Sequence, residues 1–190
     1  MKNIAIFASG SGTNAENIIK YFRNHPDISI QLVLSNNKNA YVLERAKNLG
    51  VESMVFNRNT FYHTDEIINI LKNKKIEYIV LAGFLWLIPK HFIQAFENRI
   101  INIHPALLPK YGGKGMYGMN VHKAVIENKE KQSGISIHYV NEQYDEGDII
   151  FQATCPVSEN DTPESLAGKI HELEYEHFPK VIEMWILGNE

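Results

Sequence analysis

The chain has 190 residues, 44% of them hydrophobic, and a net charge of −3, which suits one α/β-sized domain with a substantial core. A pI near 6.2 and the lack of a basic run exclude nucleic acid and an anionic membrane surface as expected partners. The single cysteine, Cys155, excludes a disulfide framework and a cysteine-based metal site and suits a reducing cytoplasm.

The opening MKNIAIFASGSG holds an apolar run too short to cross a bilayer and no signal-cleavage pattern, so residues 3–9 read as a first strand. Residues 14–24 carry Ala15, Ile18, Ile19 and Phe22 at helical spacing. A strand over 28–36, a helix over 41–50 closed by Gly50, and a strand over 51–56 follow. A helix is expected over 63–75, with Thr64 as N-cap and lysines in its last turn. Next come a strand over 78–83, a short helix over 89–98 with Pro89 early, and a strand over 100–104. After a Gly-rich loop, residues 121–129 read as a helix, and 134–140 with 148–157 as a hairpin-like strand pair. Cys155 on the second of these reads as a small core residue. One long helix over 162–186 closes the chain, opened by Thr162, Pro163, Glu164 and Ser165 and expected to break or kink at Pro179. Near-continuous apolar strands alternating with helices imply a mostly parallel, mixed sheet covered on both faces, in one Rossmann-like α/β domain.

Gly10 and Gly12 lie between the first strand and first helix, where a glycine-rich turn and a helix N-terminus make a phosphate site. The spacing also meets the loose dinucleotide fingerprint. However, the second strand ends LSNNKN, without the carboxylate that would hold a ribose, and no Gly-Lys-Ser/Thr follows. A single phosphate is therefore favoured over NAD or ATP.

Asn102 and His104, two apart at the end of a buried strand, point to one face. His138 lies on a later strand, and Glu142, Asp145, Glu146 and Asp148 follow in a turn. A carboxylate beside His104 would orient it and keep it protonated. An imidazolium and an amide N–H₂ would then both donate to a developing oxyanion, as in acyl transfer to an amine. Histidine in an apolar strand, as at His138, is also a common satisfied core residue, and His122 reads as a cap or surface residue. Ligand type alone would allow a metal at His104, His138 and Asp145, but without the close spacing of metal motifs; no metal is expected.

SGSGTN, LAGFLWLIP at 81–89, INIHPALLPKY at 101–111 and GISIHYVNEQYDEGDII at 134–150, in this order, closely resemble the phosphoribosylglycinamide formyltransferases, folate-dependent enzymes of purine biosynthesis. The resemblance runs from Lys2 to about Ile186. It implies that Gly12, Thr13 and Asn14 bind the phosphate of glycinamide ribonucleotide and that Glu174 contacts its ribose. It implies Asn102, His104 and Asp145 as the catalytic trio, with His138 beside them. It implies that Leu85, Trp86, Leu87, Ile88, Asn102 and Val140 hold the pterin of the co-substrate, 10-formyltetrahydrofolate. The domain would comprise a phosphate-binding half, about 1–100, and a catalytic and folate-binding half, about 80–190. Partners would be these small molecules, with neither nucleic acid nor membrane, in a cytoplasmic monomer or homodimer.

Two departures from the resemblance stand out. The segment KYGGKGMYGMNVHKAV is longer than the corresponding family loop and suggests a mobile flap or an added interaction surface. Trp86 replaces a basic residue that many relatives carry, leaving Arg58, Lys90 or His91 for the glutamate tail of the folate. Competing expectations are formyl transfer to methionyl-tRNA or to an amino sugar-nucleotide, a non-catalytic nucleotide-binding module, and a dehydrogenase. The tRNA reading lacks a basic surface, and the dehydrogenase reading lacks its ribose carboxylate.

Overall fold

The computed structural model of the protein describes residues 1–188. Its elements are β1 (Lys2–Phe7), α1 (Thr13–Tyr21), β2 (Ile28–Ser35), α2 (Val42–Asn48), β3 (Ser53–Val55), α3 (Arg58–His63) and α4 (Glu66–Asn73). Then come β4 (Tyr78–Leu81), α5 (Lys90–Ala95), β5 (Ile100–His104), α6 (Met119–Glu127), β6 (Gln132–Tyr139), β7 (Ile149–Pro156) and α7 (Pro163–Leu187). The strands form one sheet in the order β3-β2-β1-β4-β5-β6-β7. The pairs from β3 to β5 are parallel, whereas the β5–β6 and β6–β7 pairs are antiparallel, so β6 alone runs against the other strands.

The strand alternation sorts two cores. Ile4, Ile6 and Ala8 pack with residues of α1, α2 and α7 on one face. Ala5 and Phe7 pack with residues of α3, α4 and α5 on the other. Both faces of β1 are therefore covered, which is why its sequence reads as a continuous apolar run.

From β1 the chain winds outward to β2 and β3, and from β4 it winds the other way, so strand order reverses between β1 and β4. The crevice at the carboxyl ends of such strands is where open α/β sheets take ligands. The loops after β1 and β4 are tied together there: Ser9 N–H donates to the Gly83 carbonyl and Leu85 N–H to Ser9 Oγ, each at 3.0 Å. The loop after β5 is fixed by the buried Ser136 hydroxyl. It donates to the Ala106 carbonyl (2.7 Å) and accepts from Leu108 N–H (2.9 Å) and Gln152 Nε2 (2.8 Å), using its full bonding capacity.

Three expectations change. The helix expected over 63–75 is the shorter α4, an unpredicted helix α3 precedes it, and Thr64 is the C-cap of α3 rather than an N-cap. The preceding Asn57 and Thr60 form a reciprocal cap that starts α3, a helix the apolar spacing alone did not reveal. Pro179 does not break α7, which runs continuously through it from a Thr162–Ser165 cap. Proline lacks the N–H that would reach the Tyr175 carbonyl four residues back, and Asn17 Nδ2 of α1 takes that acceptor instead at 2.9 Å. Cys155 is half-buried on the outer strand β7, packed against the edge of the core rather than inside it, and burial raises its thiol pKa.

Candidate active site

The first side of the crevice is the turn into α1. Gly12 is its N-cap, with φ +74, a left-handed angle that glycine adopts without strain. A Cβ there would lie 2.3 Å from Val42 Cγ2 of α2. Both effects oppose Gly12→Ala, which should destabilise the fold by roughly 1–3 kcal/mol in denaturant-melt measurements. Arg45 of α2 braces the same turn, donating from Nε to the Ser11 carbonyl at 2.8 Å and pairing with Glu16. Thr13 begins the helix, and Asn14 Nδ2 donates to Glu174 Oε2 of α7 at 2.9 Å. Glu174 is only 5% exposed and also meets His171 Nδ1 at 3.0 Å. The turn into α1 and the middle of α7 thus share one carboxylate. Asn14 Oδ1 is buried with no partner among the described residues.

The second side is built on β5 and β6. Antiparallel register sets Asn102 opposite His138 and His104 opposite Ser136, so the amide and the imidazole of an opposed pair share a face. His104 and His138 are 3% and 2% exposed. Asn102 Nδ2 donates to His138 Nε2 at 3.1 Å and, more distantly, to Asp145 Oδ1 at 3.4 Å. His138 Nδ1–H donates to the Tyr139 carbonyl at 2.8 Å, which leaves Nε2 to accept from Asn102.

Asp145 reaches in from the β6–β7 turn on a left-handed φ of +57. Its Oδ2 lies 3.5 Å from His104 Nδ1 and accepts Gly113 N–H at 2.9 Å; its Oδ1 lies 3.6 Å from His138 Nε2. One carboxylate therefore touches Asn102, His104 and His138. Beside it opens a cavity of about 380 Å³, with Leu108, Pro109, Gly113 and Tyr144 in its wall.

Burial would raise the Asp145 carboxyl pKa. A hydrogen bond from His138 when its ring is protonated, the charge of a protonated His104, the Gly113 N–H and the charge of a protonated His138 outweigh it and hold the group below the usual carboxylate range. For His104 the balance falls the other way. Burial lowers its pKa more than Asp145 and the Tyr111 carbonyl raise it. His104 is thus pushed toward the neutral form, contrary to the expectation that Asp145 keeps it protonated.

Two further histidines join the site from the helices. His122 of α6 is 3% exposed with Nδ1 unpartnered among the described residues, and it is neither cap nor surface residue. Burial lowers its pKa, as do His171 and His104, while Glu174 opposes them. The Glu174 hydrogen bond raises the pKa of His171.

The residues of 85–88 line the neighbouring loop. Trp86, Ile88 and Val140 pack in one hydrophobic cluster, the Leu87 carbonyl accepts Tyr62 OH at 3.0 Å, and the Leu85 side chain is exposed. Arg58 lies over the Trp86 ring at 5.5 Å and over Tyr62 at 5.0 Å. Lys90 pairs with Glu142 at 3.4 Å, and His91 packs on Phe92 with Nε2 buried. No cluster of three or more metal-ligating side chains suited to an ion occurs among the described residues. None of the described helices is long and apolar enough to cross a membrane.

A doubly wound sheet with a glycine turn, a strand-end Asn-x-His and a turn aspartate defines a class, and residues 2–182 match the formyl transferase family; the chain belongs to it. Within that family it is 40% identical over 190 residues to the chloroplastic phosphoribosylglycinamide formyltransferase of Arabidopsis thaliana. That alignment covers 95% of this chain but 64% of the plant protein, so the chain spans less than two thirds of that relative's length. It is 37% identical to the phosphoribosylglycinamide formyltransferase of Haemophilus influenzae, covering 99% of this chain and 89% of the relative. The crystal structure of glycinamide ribonucleotide transformylase 1 from Symbiobacterium toebii superimposes with a TM-score of 0.89 at 32% identity, covering 99% of this chain and 89% of that one.

Proposed function

We propose that the protein transfers the formyl group of 10-formyltetrahydrofolate to the amine of N1-(5-phosphoribosyl)glycinamide, a step of purine biosynthesis. The observation that carries this reading is the single carboxylate of Asp145 in contact with Asn102, His104 and His138 at the mouth of the crevice. In this reading Gly12, Thr13 and Asn14 hold the phosphate, and Glu174, bonded to Asn14, receives the ribose hydroxyls. The phosphate half and the catalytic half meet through that pair. Leu85 to Ile88 and Val140 seat the pterin. Arg58, stacked on Trp86, is the cation placed for the folate tail, since Lys90 is already paired and His91 is packed inward.

The amine lone pair attacks the formyl carbon, and the carbonyl electrons move to oxygen. Asn102 turns an N–H from its long contact with Asp145 to that oxyanion, and His104, once it has taken up a proton at Nδ1, supplies positive charge and the second donor. The amine proton passes toward the Asp145–His104 pair, directly or through water. Collapse reforms the carbonyl and breaks the bond to folate N10, which takes a proton. Tetrahydrofolate and the formylated amide leave. His104 begins neutral in this scheme, so it can accept a proton during the reaction and does not arrive already charged.

The test is amine-dependent deformylation of 10-formyltetrahydrofolate, followed spectrophotometrically. Turnover with glycinamide ribonucleotide is the expected result. Turnover only with an amino sugar-nucleotide would overturn the reading of the glycine turn, and no turnover with either amine would overturn the enzymatic reading.

A further inference from the structure

We propose that Tyr111 and Glu130 are positioning residues that fix the ring of His104 with its proton on Nε2. The Tyr111 carbonyl accepts His104 Nε2–H at 2.7 Å. Neither the carbonyl nor the Asp145 carboxylate can donate, but only the 2.7 Å carbonyl contact is a hydrogen bond while Nδ1 stands 3.5 Å from Asp145, so the single proton of the neutral ring lies on Nε2. A proton arriving at Nδ1 meets the carboxylate at once, and the resulting imidazolium has an acceptor on each side.

The carbonyl is aimed by its own residue. Tyr111 has φ +56, a left-handed conformation that a bulky side chain holds only when its surroundings demand it. The demand comes from Glu130, in the segment between α6 and β6. Its Oε1 accepts Tyr111 OH at 2.9 Å and Lys110 Nζ at 2.9 Å. Two successive residues are pinned by one carboxylate, at the point where the glycine-rich flap begins. Two residues on, Gly113 N–H holds Asp145. The start of the flap therefore addresses both members of the proton-handling pair through its backbone.

Titratable groups from every neighbouring element act on His104: Asp145 from the β6–β7 turn, His138 from β6, His122 from α6 and Glu174 from α7. The Tyr111 carbonyl bond raises the affinity of the ring for its proton against the burial that lowers it. Loosening the carbonyl should therefore move the midpoint of His104 down.

The experiment is a pH titration of the His104 ring by ¹⁵N–¹H correlation on the whole chain, assigned by difference from His104→Ala. The wild type should show a neutral Nε2–H tautomer. Tyr111→Phe and Glu130→Ala should mix the tautomers and lower the midpoint, and Glu130→Gln, which keeps an acceptor for Tyr111 OH, should restore both. The kinetic arm rests on the catalytic role proposed above for His104. Glu130→Ala should lower kcat on the order of ten-fold with KM little changed, the cost of small misplacements of a reacting group. Ring signals unaltered in both loosened variants, with only the melting temperature reduced, would make Glu130 a mere brace and sink the proposal. Mixed tautomers with undiminished turnover, together with an active His104→Ala, would uphold the positioning geometry and overturn the catalytic assignment of His104.

Discussion

His104→Ala and Asn102→Ala should each lower kcat by roughly 100- to 1,000-fold, the usual effect of removing one oxyanion donor from a water-poor site. The site is of that kind: His104 is 3% exposed and Asn102 is enclosed by His138 and Asp145. The fold should survive. His104 has two polar contacts, to the Tyr111 carbonyl and Asp145, and leaving such groups unpaired costs about 1–3 kcal/mol against a typical total of 5–15. In the proposed mechanism the two residues serve the same oxygen, so the double variant should lose much less than the product of the single losses. Single-turnover rates with the circular dichroism spectrum as a fold check decide it. Near-normal turnover in His104→Ala would remove that residue from the mechanism.

The parts of the molecule legible in the sequence are those in which periodicity carries the information. β1, β2, β4 and β5 are covered on both faces, so their apolar runs announced themselves, and the alternation with helices implied a parallel sheet. Asn102 and His104 were legible as a pair because alternate strand residues share a face. Their relation to His138 needed the register of β5 on β6, which no local pattern encodes. Helix α3 was missed and Thr64 was assigned to the wrong helix end because threonine suits either end, and its role depends on the Asn57–Thr60 cap upstream. The effect of Pro179 was misjudged because its remedy, the Asn17 side chain, lies 162 positions earlier in the chain. The charge of His104 was misjudged for a similar reason: an opposing carboxylate can be guessed from a turn sequence, whereas depth of burial cannot. His122 looked like a surface residue from α6 alone; the packing of α6 against the site buries it. The contributions of Tyr111 and Gly113 are made by backbone atoms and have no side-chain signature at all.

Asp145→Asn should cost about 100-fold or more in kcat and shift the acid limb of the pH profile to lower pH. An amide can accept one hydrogen bond but cannot take the amine's proton, a role typically worth 100- to 10,000-fold. Burial holds the His104 pKa below its ordinary value of about 6.5, so the wild-type limb, which in the proposed mechanism reports loss of neutral His104, should lie below that pH. Asp145 is the largest influence raising it, and removing that charge lowers it further. Stability follows the same signs. A histidine with a depressed folded pKa stabilises the fold above its unfolded pKa and loses that contribution as pH falls through the folded value. His104 and His122 both act this way, so the wild type should weaken as pH drops below about 6.5, with His171, whose pKa is raised, partly offsetting the loss. The depressed Asp145 carboxyl adds a second loss below its unfolded pKa of about 3.9. In Asp145→Asn that second loss should vanish, while the loss due to His104 should extend to lower pH. Urea melts from pH 7 to pH 3, run beside the pH–rate profile, measure both. An acid limb that stays in place in Asp145→Asn would mean that His104 is not the group it reports.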